Sequence, residues 1–106
     1  GDFNHWEYAV KVIEEAGDEN VSLIYNSDPR DVVNGSVAET LMHVIKYVKH
    51  IHMHELVDPK YPYQEMLRIF KETGYRGYCV AEIQESPDPL RVLRYYRALW
   101  EAYTQY

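Results

Sequence analysis

Apolar positions along this chain follow two spacings that take turns. From Phe3 to Ala16 they recur at helical intervals, with Trp6, Val10 and Ile13 on one stripe and Gly17 as the expected stop. Val21 to Tyr25 is a short apolar run after a polar turn and reads as a strand. Asn26 to Ser36 is a loop, marked by Asp28-Pro29 and Asn34-Gly35. Val37 to Val48 is again helical, with Leu41, Val44, Ile45 and Val48 facing one way, and Lys49 to His54 then alternates polar and apolar as a strand does. Pro62 suits the first turn of a helix running to Thr73, with Met66, Leu67 and Phe70 apolar and Gly74 as the stop. Tyr78 to Ile83 is a third strand. Pro87-Asp88-Pro89 opens a last helix whose expected buried stripe is Leu90, Leu93, Tyr96, Leu99 and Trp100.

The order αβαβαβα, with strands roughly 30 residues apart, is that of βα crossover units. Such a repeat implies an α/β fold with parallel strands joined by right-handed helical crossovers. An open doubly wound sheet and a piece of a closed barrel both satisfy it. Period-two geometry puts His50, His52 and His54 on one face of their strand, with Ile51 and Met53 on the other. Tyr78, Val80 and Glu82 likewise oppose Cys79, Ala81 and Ile83, while Asn26 shares a face with Ile24 and Ser22. Each strand thus has one apolar side and one side that turns polar near its C-terminal end. Doubly wound strands are apolar on both faces, whereas a barrel has helices outside only and its chemistry at the C-terminal strand ends. The pattern favours residues 1–106 as one partial domain, the C-terminal part of a (β/α)8 TIM barrel: about three βα units preceded by a helix.

Composition narrows the function classes. The chain is 46% hydrophobic with eleven Tyr and two Trp, and carries a net charge of -6. That charge repels phosphate backbones, and Arg91, Arg94 and Arg97 lie at the spacing of a solvated helix face, so nucleic acid is not an expected partner. No run is long enough for a membrane span, and a membrane is not an expected partner either. The single Cys79 excludes an intrachain disulfide framework and fits a reducing compartment, so a cytoplasmic location is expected.

The segment His50-Ile51-His52-Met53-His54-Glu55, followed by Tyr75-Arg76-Gly77-Tyr78-Cys79-Val80-Ala81-Glu82, resembles the xylose isomerase-like TIM barrels. So do Ser86-Pro87-Asp88-Pro89 and the aromatic-rich last helix. That superfamily holds sugar isomerases and epimerases, inosose-processing enzymes and AP endonucleases. The resemblance implies a divalent metal (Mn, Mg, Co or Zn) at the C-terminal mouth, on Asn26, His52 and Glu82. Asn26 stands where the family usually has Asp, and Pro29 where it has a His. The implied reaction is metal-assisted isomerisation or epimerisation of a sugar or sugar phosphate, with Glu82 also moving the proton. A further ligand would come from a strand outside this sequence, so the chain alone is not expected to catalyse.

Plainer readings stand beside these. His50 and His54 can simply fill a polar barrel interior. Asp28, Arg30, His54 and Glu55 are the candidate substrate contacts, though Asp28-Pro29-Arg30-Asp31 is also ordinary turn chemistry. Tyr61-Pro62-Tyr63 would line a sugar pocket or merely start a helix packed on its neighbours. Glu82, beside Val80 and Ile83, is expected to need a partner. Three parallel strands covered on one side leave a bare face and two open edges, so self-association or pairing with the missing N-terminal half of the barrel is expected. The alternative function is a catalytically silent barrel remnant that binds carbohydrate or serves in assembly.

Overall fold

The computed structural model describes residues 6–105. Its elements are α1 (Trp6–Ala16), β1 (Leu23–Tyr25), α2 (Ala38–Val44), β2 (Val48–Met53), α3 (Tyr63–Glu72), β3 (Tyr78–Ala81) and α4 (Pro89–Thr104), with 3-10 turns at Pro29–Asp31 and Ile45–Tyr47. The three strands form one parallel sheet in the order β1-β2-β3, and the helices pack in sequence, α1 on α2, α2 on α3 and α3 on α4. The chain is a small α/β domain. The expected helix over Phe3, Asn4 and His5 lies outside the described residues.

Helix stops and turns follow the expected chemistry. Gly17 and Gly74 end α1 and α3 in the left-handed region that a side chain disfavours. Val33 and Ser36 exchange backbone hydrogen bonds across Asn34 and Gly35, both at positive φ, which makes the loop a tight hairpin of the primed type. Val37, at the start of α2, has no side chain to cap its helix; Glu65 of α3 does it instead. The Glu65 carboxylate accepts from Val37 N at 2.6 Å and from Ser36 Oγ at 2.9 Å, while Ser36 Oγ accepts from Ala38 N. An acceptor on one helix therefore satisfies the orphan donors of another.

The core forms between the helices and one face of the sheet. Ile51 and Met53 of β2, Tyr25 of β1, Leu41 and Val44 of α2, and Met66, Leu67 and Phe70 of α3 are buried. Ile13 is buried, and Trp6 and Val10, partly buried, pack against the core, as the α1 stripe requires. Two expectations need correction. Val48 was expected on the helix but starts β2, because Ile45–Tyr47 tightens into a 3-10 turn that delivers the chain to the strand. In α4 the buried stripe holds only toward the C-terminal half: Tyr96 is buried and Leu99 and Trp100 partly so, but Leu90 is 59% and Leu93 52% exposed. The first turns of α4 run past the end of the core.

The other sheet face is bare among the described residues. Ile24, Tyr78 and Val80 are exposed, with the His50 ring tilted against Tyr78 at 5.3 Å. Among the described residues no helix is long and apolar enough to cross a membrane.

Within the core, Tyr25 Oη and Tyr61 Oη share a hydrogen bond of 2.5 Å. Burial raises both phenols above their ordinary value, and Asp31 pushes them the same way. The folded chain thus holds these protons more tightly than the unfolded one. That contribution is complete below the ordinary phenol value of 10.0 and is lost as pH rises through the raised folded values. Tyr25→Phe strands the Tyr61 hydroxyl and should destabilise by about 1–3 kcal/mol in urea melts. Adding Tyr61→Phe should recover part of that loss and flatten the fall in melting temperature between neutral and strongly alkaline pH; an unchanged alkaline fall would show that these phenols do not cause it.

Candidate functional site

Parallel pairing brings the C-terminal ends of the three strands to one edge of the bare face. His50 pairs with Tyr78 and His52 with Val80, so Glu82, two residues further on, stands diagonal to His52. Glu82 N donates to Met53 O at 2.7 Å, which extends the ladder beyond the regular strand and holds Glu82 in register. The result is a close side-chain contact, His52 Nδ1 to Glu82 Oε1 at 2.8 Å, with side chains 25% and 50% exposed. Glu82 is therefore not a buried acid; the expected partner exists, and it is a histidine of the neighbouring strand. A half-exposed pair of this kind contributes on the order of 0–1 kcal/mol, so stability does not account for it.

His54 spans the same edge. Its Nε2 lies 3.0 Å from Asn26 O and its Nδ1 3.3 Å from Glu82 O, so one ring ties the ends of β1 and β3 across β2. Both contacts are carbonyl oxygens, which only accept, so a ring with one N–H donates to one of them at a time. The backbone of His54 is held just as firmly. Tyr63 Oη accepts from His54 N at 2.9 Å, and Tyr96 Oη donates to His54 O at 2.8 Å. Both tyrosines are buried, and burial raises both phenols, so each stays a neutral hydroxyl able to accept or donate. Ser27, buried at positive φ, adds a bond from its Oγ to His52 O at 2.8 Å.

Of the residues singled out from sequence, Asn26, His52, His54 and Glu82 come together here, Asn26 through its backbone carbonyl. Asp28 and Arg30 do not join them. They close on each other in the turn after β1, where Arg30 Nη2 meets Asp28 Oδ2 at 2.6 Å and holds the carboxyl below its usual range. With Asn26 and Trp6 they line a separate cavity of about 230 Å³. Glu55 is exposed on the loop after β2. Tyr61 and Tyr63 take the plainer of their two readings and pack into the core.

Tyr63 and Tyr96 are the positioning residues that sequence reasoning did not reach. A signal was present, because a tyrosine on a buried stripe needs a partner for its hydroxyl. Which backbone it would find depends on packing. Among the described residues no group of three His, Cys, Asp or Glu side chains is arranged to hold a metal ion. His52 and Glu82 supply one imidazole and one carboxylate, donors of the right kind for a divalent cation, and so a partial shell.

Cys79 sits on the helix-facing side of β3, partly buried, and burial pushes its thiol up to about 11. It is not an activated nucleophile. Its alkylation by iodoacetamide at pH 8 should run about a hundredfold slower than that of free cysteine, in proportion to its smaller thiolate fraction; a rate near that of free cysteine would refute the assignment. Tyr63→Phe should speed exchange of the His54 amide hydrogen about tenfold while leaving the Ile51 amide protected. Equal acceleration at both amides would mean general destabilisation instead. Compared with known proteins, the chain matches no family model, no curated sequence and no solved structure.

Proposed function

We propose that this chain is the C-terminal portion of a (β/α)8 barrel of the xylose isomerase-like kind, contributing part of a metal-assisted site for isomerisation or epimerisation of a sugar or sugar phosphate. The observation that carries the reading is the His52–Glu82 pair on the bare sheet face, at the C-terminal ends of two parallel strands. One-sided covering of the sheet supports it, since a barrel keeps its helices outside and its chemistry at this end of the strands.

His52 and Glu82 would hold the metal from this side, with an oxygen of Asn26 as an uncharged third donor. A divalent cation held there would supply Lewis acidity, polarising a sugar's hydroxyl and carbonyl oxygens and acidifying the adjacent C–H. Glu82 keeps Oε1 on His52, and its Oε2 has no hydrogen-bond partner among the described residues, which leaves an oxygen able to take or return a proton. His54 lies between the strand ends that carry Asn26 and Glu82, its ring within reach of a backbone carbonyl on each. The remaining ligands belong to strands outside this sequence, so the portion alone binds metal weakly and does not turn over.

A second reading draws on the exposed Ile24, Tyr78 and Val80: the bare face is an assembly surface, and the chain is a catalytically silent module. Native mass spectrometry with added Mn²⁺ separates the two. The metal reading expects bound Mn²⁺ that is lost in His52→Ala and in Glu82→Ala. A dimer without metal would favour the assembly module, and a metal-free monomer would sink the metal site as a property of this chain.

A further inference from the structure

At the opposite end of the strands lies a cavity of about 440 Å³, remote from the His52–Glu82 pair and sharing no residue with it. Lys46, Lys49 and Arg76 line it, and no carboxylate does. This is a local reversal of sign in a chain of net charge -6. Lys46 lies in the 3-10 turn before β2, with its ammonium 5.0 Å from the centre of the Tyr47 ring. Lys49 is set apart by a shift of register. Leu23 pairs with Val48 and Ile24 with His50, so Lys49 is the extra residue on β2. Arg76 sits between Gly74 and Gly77 in the turn before β3. None of the three is within ion-pair distance of a carboxylate of the described residues; Glu14, Asp18 and Glu19 line only the adjoining cavity on the α1 side of the two lysines.

The turn that presents Arg76 is fixed rather than loose. Tyr75 packs edge-on against Phe70 at 4.9 Å and donates from its hydroxyl to Tyr78 O at 2.8 Å. Gly77 presses so closely on Lys49 O that a Cβ there would collide with it. Two of the cations are thereby held on neighbouring backbone segments before any ligand arrives, which lowers the ordering cost of binding. Ile45, Val48 and Tyr75 give the cavity an apolar wall beside its charges, and its volume is that of a small-molecule site.

We infer that this cavity binds the multiply charged phosphate of a small phosphorylated molecule. Lys49 and Arg76 make direct contact with it, and Lys46 supplies flanking charge. A guanidinium fork beside an ammonium suits phosphate oxygens, and three unpaired cations call for an anion of more than one charge. The inference is independent of any chemistry at the other end of the strands.

The test is an NMR titration of the full chain with inorganic pyrophosphate, at ionic strength held constant with sodium chloride. Saturable shifts at the amides of Lys49, Arg76 and Gly77 are expected below about 10 mM. The Lys49→Gln/Arg76→Gln double variant should bind at least about tenfold more weakly, the loss expected for one or more charge-assisted contacts. Arg94→Gln, which removes a cation from the exposed face of α4, should leave the affinity unchanged. All three side chains are exposed, so spectra of the variants report binding in a folded chain. Shifts that fail to saturate, that chloride alone reproduces, or that persist in the double variant would overturn the inference. A sedimentation arm with vesicles containing phosphatidic acid identifies the source. Co-sedimentation lost in the double variant assigns the phosphate to a lipid headgroup, and its absence alongside pyrophosphate binding assigns it to a soluble molecule.

Discussion

A parallel sheet of three strands has one strand paired on both sides, and in this chain that strand, β2, sets the position of everything else. Its inward side chains, Ile51 and Met53, are buried, and the helices close on them. Its outward side chains, His50 and His52, stand on the bare face, so the same alternation that builds the core also delivers imidazoles to solvent. A slip of one residue in its register would exchange the two sets and bury histidines where Ile51 and Met53 now pack. Register on β2 is thus the constraint that joins fold to site.

The tyrosines meet a second constraint, the pairing of buried polar atoms. Tyr63, Tyr75 and Tyr96 each carry a large apolar ring into or against the core and spend the hydroxyl on a backbone group near a strand end. Tyr25 and Tyr61 satisfy each other. Among the described residues no buried side-chain nitrogen or oxygen lacks a partner. In a domain this small the arrangement has a mechanical consequence, because the loop leaving β2 is pinned by helix side chains and the turn entering β3 by its own Tyr75 packed on Phe70. The edge carrying His52, His54 and Glu82 and the turn carrying Arg76 are both rigid for that reason.

The two ends of the sheet differ in charge. The C-terminal edge gathers two histidines and a carboxylate, while at the N-terminal end three cations and no carboxylate line one cavity. Neither arrangement is explained by stability. The His52–Glu82 pair is too exposed to contribute much, and three cations around one cavity repel one another. Groups kept in such positions are functional candidates with a stated physical reason.

Much of this was legible along the chain. The period of 3.6 in α1 and α3, the alternation in β2, the glycine stops and the Asn34-Gly35 turn are local properties, set within a few residues by sterics and by which side chains are apolar. They were enough to determine the order of elements, the parallel sheet, and the faces on which His52 and Glu82 lie. Other features depend on partners distant in sequence, and no local rule reaches them. The exposure of Leu90 and Leu93 follows from where the core ends, not from the α4 pattern. The capping of α2 by Glu65, the hold of Tyr63 and Tyr96 on His54, and the lining of one cavity by Lys49 and Arg76 each need two segments at a fixed separation. Sequence by itself decided which positions are polar or apolar and which way each strand turns them. Tertiary packing alone decided which of them meet, because pairing across the sheet is set by register and by the helices that close over it.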